Sequence, residues 1–390
     1  MSHIPHANSR IPDRVVVSGA LAHRVKRPGH AFVFLHLLEG FARLGCDVTF
    51  VDRWDDHMRI DDLGQRVDVA DAVSWLGGSL DTIGLGDRFS LLMPGGSCVG
   101  IGRSELSDRV RGAVLIDVMG FLDDPDLMAL AERRVFWDLD PGFGQLWDAQ
   151  GLAHPFDAHD DHVTVGLNIG TLDCDVPTGG RRWITTLPPV VIDRWPVTDH
   201  DRRTVTSVAT WRGPFAPLEI DGRRLGLRAH AFRPFADVPN RAGQRSTVAM
   251  HFPDSDRADR ELLRAGGWDI VDPIVVAGDL SSYQEFVARS GLELCVAKEL
   301  YVKLRTGWFS DRSATYLASG RPVVALDTGF SSMLPSEEGL IAIESPDEAV
   351  EAVRDVTANM SRHRKAARAL AEEHFDSDRV LTSVLERLGS

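Results

Sequence analysis

With 390 residues, of which 43% are hydrophobic and 26% charged, the chain can bury more than one core and reads as two or three domains. Its 57 acidic and 43 basic residues give a net charge of −14, and no basic run gathers the positive side chains, so a nucleic-acid backbone is excluded as an expected partner. Cys46, Cys98, Cys174 and Cys295 form no CxxC pair, the start MSHIPHANSRIPDR lacks the apolar centre of a signal peptide, and no run approaches the roughly 18 apolar residues of a membrane span. The expectation is a soluble, cytoplasmic protein with reduced thiols.

In chain order, RVVVSGA (Arg14 to Ala20) is a short β-branched run that predicts a buried strand. A polar loop with Gly29 and His30 leads into AFVFLHLLEGFARLG, where Phe34, Leu37, Leu38 and Phe41 form a helical stripe that Gly45 stops. DVTFVD (Asp47 to Asp52) follows as the next strand. Strand, helix and strand make a βαβ unit, the seed of a parallel sheet. AVLIDVMG (Ala113 to Gly120), RVFWDLD (Arg134 to Asp140) and HVTVGLN (His162 to Asn168) are further strand candidates, each running into polar or glycine-rich sequence. Ligands of open α/β sheets collect at the carboxyl ends of strands, so these endings are where chemistry is expected.

Proline and charge dominate TTLPPVVIDRWPVTDHDRRT (Thr185 to Thr204), which reads as an interdomain linker. Alternation then restarts with VTSVATW (Val205 to Trp211), STVAMHFP, WDIVDP, LELCVAK and RPVVAL, and a final amphipathic segment, DEAVEAVRDVTANMSRHRKAARALAEEHF (Asp347 to Phe375), closes the chain. The expected architecture is α/β, with domains over 1–200 and 201–390 facing a central cleft and a C-terminal helix free to pack back on the first domain.

The densest stretch is GWFSDRSATYLASGRPVVALDTG, Gly307 to Gly329. Ser310 or Asp311 can cap a short helix, Gly320 suits the left-handed position after it, and RPVVAL supplies a buried parallel strand. A helix N-terminus carries free N–H groups and partial positive charge, and Arg305 and Arg312 flank this one. Thr328 and Gly329, in the loop after the strand, would share its edge of the sheet. The pattern reads as an anion cradle.

This order of loop, helix, G-x-P-V-V strand and Asp327-Thr328-Gly329 is similar to the donor half of GT-B-fold glycosyltransferases, particularly the group 1 type. GHAFVFLHLLEGFARLGCDVTFVD resembles the acceptor half, and FWDLDPGFGQLW and VAK resemble related bacterial glycosyltransferase-like proteins. The resemblance implies two Rossmann-like domains and transfer of a sugar from a nucleotide-diphosphate donor to a small hydroxyl-bearing acceptor, in natural-product or cell-envelope chemistry. It implies no cofactor beyond the donor and no metal. One departure stands out. Aligned on Gly320 and Pro322, the two glutamates of many group 1 enzymes fall at Gly307 and Thr315, so both carboxylates are missing and Ser310 or Asp311 would substitute.

On that resemblance His30, after Gly29, matches the general base of inverting enzymes, and imidazole titrates in the useful range. Asp140 in WDLDPG is expected at the cleft edge, orienting acceptor or supporting His30, with a turn-forming Asx role as its plain alternative. Lys298 in VAK would neutralise the leaving diphosphate. Trp211 and Arg212 match the donor-side loop, although Trp211 equally suits a core. The side chains of HDDH (His159 to His162) alternate across a strand and cannot converge on one metal. G-x-G-x-x-G, the P-loop signature and GxSxG are all absent, which lowers dinucleotide, nucleotide-hydrolysis and serine-hydrolase readings. Two rivals remain on the same fold: a nucleotide-sugar epimerase or hydrolase, and a non-catalytic nucleotide-sugar-binding scaffold. Inverting or retaining outcome and oligomeric state are left open.

Overall fold

The computed structural model describes residues 11–55, 58, 66–199, 203–212, 216–220 and 222–389. The first sheet has eight strands: β1 (Arg14–Ser18), β2 (Asp47–Arg53), β3 (Phe89–Leu92), β4 (Cys98–Gly100), β5 (Val114–Val118), β6 (Arg133–Asp138), β7 (Asp161–Thr164) and β8 (Trp183–Thr185). Their spatial order is β4-β3-β2-β1-β5-β6-β7-β8, and every pairing is parallel except β3 with β4. Val15, Val16 and Val17 of β1 are fully or almost fully buried, as the β-branched run requires of a strand covered on both faces.

After the connecting segment come β9 (Val205–Thr210), the hairpin β10 (Leu218–Ile220) and β11 (Arg223–Leu225), β12 (Ser246–His251), β13 (Trp268–Val271), β14 (Leu292–Cys295), β15 (Val323–Leu326) and β16 (Leu340–Ile343). Six of these form an all-parallel sheet ordered β13-β12-β9-β14-β15-β16. Renumbered from β9, that is the 3-2-1-4-5-6 winding whose switch point lies between β9 and β14. The strands predicted from sequence are all present, with ends shifted by a few residues: β2 runs one residue further, to Arg53, and β6 closes at Asp138 rather than Asp140. The short strands β3, β4, β8, β16 and the hairpin are additions that the periodicity did not expose.

The connecting segment packs rather than dangles: Val190, Val191, Ile192 and Trp195 are buried. The terminal Ser377–Leu388 helix returns to the first half of the chain, where Ser377 N–H donates to Val190 O (2.9 Å) and Leu381 sits over Gly40 of the Pro28–Arg43 helix. Apolar packing also crosses between the two sheets. Phe143, Val165 and Val176 share one cluster with Leu300, Tyr301 and Trp308. The two carboxyl-end edges therefore face each other and meet through this packing.

Candidate functional site

Asp140 follows β6 and reaches across to the second half of the chain, where it pairs with the Lys298 ammonium and accepts from the Tyr301 hydroxyl. Lys298 occupies the N-cap position of the Glu299–Lys303 helix just beyond β14, so Tyr301 lies one turn on, and the two side chains are 2.9 Å apart. Burial pushes the Asp140 carboxyl up, but the Lys298 charge and the two donated hydrogen bonds outweigh it and hold the group below the usual carboxylate range. Asp138, two residues earlier, points inward: Gln145 Nε2 and Thr164 Oγ1 each donate to it at 2.8 Å. Burial lifts its carboxyl to about 6. Asp138 is thus structural, and Asp140, two residues on and past the strand end, bears the charge at the seam.

Arg228 joins this centre from the second half. Its Nε donates to Val296 O and its Nη1 to Thr210 O, both at 3.2 Å, which seats it over the ends of β9 and β14 at the switch point. Burial lowers its affinity for the proton and Arg312 adds repulsion, while Tyr301 and Asp140 oppose both. Nothing local in RRLGLRAHAF marks this arginine out from its neighbours, and sequence reasoning missed it. The Lys298–Tyr301 spacing of three, one helical turn, was a usable signal for Tyr301.

The Asp311–Ala318 helix does begin at the seam. Asp311 and Thr315 face a narrow cavity of about 40 Å³ with Gly29, Trp137, Leu139, Val165, Tyr283 and Phe309 around it. Burial raises the Asp311 carboxyl above its ordinary value against the pull of Arg312. Two expectations need correcting. Ser310 occupies the N-cap position but its hydroxyl makes no capping bond. Arg312 turns its guanidinium inward to Glu293, a carboxylate with no exposure in the centre of β14, and to Cys295 Sγ at 3.2 Å, so its charge is spent inside the domain. The signal for Glu293 was a lone acid inside the apolar run LELC. Gly320 has φ +65, as the helix end required.

Thr328 and Gly329 serve a latch. Thr328 Oγ1 donates to Trp308 O at 2.6 Å, and Gly307 N–H donates to Thr328 O at 2.8 Å. Asn168, from the first half, inserts between these loops and its Nδ2 donates to Arg305 O and Gly329 O, each at 3.1 Å. Arg305 itself is exposed, with φ +49. His30 sits in the first turn of its helix with Nε2 2.5 Å from Ala20 O and its ring edge-on to Phe34. The preceding Gly29 faces Tyr283 at 3.6 Å from where a Cβ would stand.

Trp211 is a correction toward its core alternative: it is 1% exposed, packs on Phe232 and Phe252, and donates Nε1–H to Asp259, which leaves no face for a ligand ring. Arg212 pairs with Asp256. The HDDH residues diverge as expected. His159 bonds Asp117 at 3.0 Å, Asp160 and Asp161 pair with Arg134 and Arg133, and His162 lies 3.3 Å from Phe156 O. Among the described residues no group of three His, Cys, Asp or Glu side chains is placed to hold a metal ion, and no helix is long and apolar enough to cross a membrane. The four cysteines are free.

No family model matches the sequence, and no curated protein matches it either. Solved structures do. An α-glucosyltransferase in complex with UDP and a 13-mer DNA superposes with a TM-score of 0.60 at 12% identity, covering 97% of this chain and 99% of the other. AviGT4, a glycosyltransferase of avilamycin A biosynthesis, gives 0.56 at 12% identity over 97% and 98% of the two chains. Anabaena HepE in complex with UDP and glucose gives 0.56 at 10% identity over 96% and 99%. Identity this low speaks for architecture alone. The chain has the GT-B fold of these glycosyltransferases, with two Rossmann-like, largely parallel sheets.

Proposed function

We propose that the protein is a glycosyltransferase that moves a sugar from a nucleotide-diphosphate donor, UDP-linked in the first instance, to a hydroxyl of a small acceptor. The observation that carries this reading is the gathering of Arg228 and Lys298 over the ends of β9 and β14, at the switch point of a 3-2-1-4-5-6 sheet, with Asp140 of the first half against Lys298. UDP in the α-glucosyltransferase and HepE structures supports the nucleotide. The net charge of −14 favours a small acceptor over a nucleic acid, although the first of these neighbours is bound to DNA.

In this reading the two cations stabilise the negative charge that develops on the departing diphosphate, so fixed protein charge does the work a divalent metal would otherwise do. Arg212 and Arg305, nearer the surface, add donor contacts. His30 takes the acceptor proton, with the Ala20 carbonyl fixing its ring. Asp140 is exchanged by Lys298 for a donor oxygen when the seam opens and substrates enter. Calorimetry with UDP and UDP-sugars, followed by a transfer assay, tests the scheme. His30→Ala should keep UDP binding and lose transfer by about 100-fold or more, the ordinary worth of a general base. Lys298→Met should weaken UDP binding. UDP binding undetectable at millimolar ligand would end the proposal. A non-catalytic binding role is favoured by one observation, that Lys298 and Arg312 are already neutralised by Asp140 and Glu293. UDP-sugar bound tightly with neither transfer nor donor hydrolysis would establish it.

A further inference from the structure

A groove of about 770 Å³, open to solvent, runs between the Val69–Asp81 helix of the first half and the 273–281 segment of the second. That volume is within the range of small-molecule sites. The helix and its C-cap contribute Asp71, Ser74, Trp75, Gly78, Ser79 and Thr82, which recur at three- and four-residue spacing and so form a single face. The face is unusual for a helix of this kind. Gly77 and Gly78 lie in its interior, where glycine weakens a helix for want of side-chain contacts and through backbone entropy. Packing within the protein does not call for them: a Cβ at Gly78 would meet nothing within 4 Å, and one at Gly77 only the Phe89 ring at 3.7 Å.

A second observation points the same way. Trp75 is half-buried, so part of its ring is open on this face, and Asp71 and Ser74 beside it are exposed to the groove. A glycine beside an indole, with hydroxyls one turn to either side and the Asp71 carboxylate beyond, matches a cyclic polyol. The ring's C–H face lies on the tryptophan, the missing Cβ allows close approach, and the hydroxyls meet groups that both donate and accept. Val25 and Lys26 on the near wall belong to the loop that leads into the helix bearing Gly29 and His30.

We propose that this groove is a sugar-binding subsite, which holds a glycosyl unit of the acceptor away from the hydroxyl that reacts. The acceptor is then itself a glycoside. The inference rests on the glycosyl-transfer reading for its role but not for its binding. The full chain is titrated with the methyl glycosides of glucose, galactose, mannose and N-acetylglucosamine, followed by saturation-transfer NMR, and separately with UDP by calorimetry. At least one glycoside should bind in the millimolar range. Gly78→Leu, which improves helix propensity and fills the face, should raise the thermal midpoint, weaken that glycoside about tenfold or more and leave UDP affinity unchanged. Trp75→Ala should also weaken the glycoside. No binding of any of the four to the wild type, or undiminished binding to Gly78→Leu, overturns the proposal. Glycoside binding that survives while UDP binding is absent would remove the glycosyl-transfer reading and leave the groove as a sugar site.

Discussion

His36 shows how much a single ring can be asked to do. It is 3% exposed, with Val191 N–H 3.1 Å from Nδ1 and Trp195 Nε1–H 3.1 Å from Nε2. A neutral imidazole accepts at one nitrogen only, and the charged ring at neither. Burial first and the nearby Arg194 charge second push its pKa from 6.5 to about 3. The unfolded chain therefore binds this proton more readily, so the stability His36 contributes is full above about pH 6.5 and is lost as pH falls toward 3, by at most about 1.4 kcal/mol per pH unit. Imidazole NMR should find this ring still neutral at about pH 5, where an ordinary histidine is charged; a ring titrating near 6 would refute the assignment. Glu293 and Arg312 make the complementary case. Glu293→Gln leaves a buried guanidinium unpaired and should cost about 3–5 kcal/mol in urea unfolding, whereas replacing both residues with apolar ones should recover most of that.

Elements here are held by close approach as much as by pattern. The Pro28–Arg43 helix was legible from its apolar stripe, whereas the amphipathic stretch read near the end of the chain stops at Phe375, short of the Ser377–Leu388 helix, and nothing in either sequence says that the two touch. They meet at Gly40, where an added Cβ would stand 2.5 Å from Leu381 Cδ1 and 3.1 Å from Ser377 Cβ. Gly40→Ala should therefore destabilise by about 1–3 kcal/mol despite its better helix propensity, and Leu381→Ala in the same chain should relieve the clash. Thermal unfolding of the two variants and the double variant reads this directly. Tolerance of Gly40→Ala alone would mean that the terminal helix is not seated there.

At the scale of the whole molecule, the two sheets are fastened by Asn168 and by the Asp140–Lys298–Tyr301 contact. Asn168→Ala strips the amide from two carbonyls, at about 1–3 kcal/mol if they stay buried, and should shift small-angle scattering toward a more open molecule. An unchanged scattering profile would show that the apolar seam alone keeps the lobes together. The Asp140 carboxyl is held below its ordinary range, so the stability it lends this seam is present above the ordinary carboxylate pKa and fades in acid. The sequence by itself determined the α/β class, the two runs of parallel strands and the places where polar residues follow strand ends. These depend on residues near in the chain, through β-branched runs, helical stripes and glycine stops. Only the tertiary structure decided which polar groups meet. Arg228, Tyr301 and Asn168 owe their roles to partners 88, 161 and 137 or more positions removed or to a distant strand edge. The charge of Arg312 was settled by Glu293, 19 residues away on a neighbouring strand. A side chain's chemistry is written locally, but its partner is set by how the sheets wind, and no spacing along the chain encodes that.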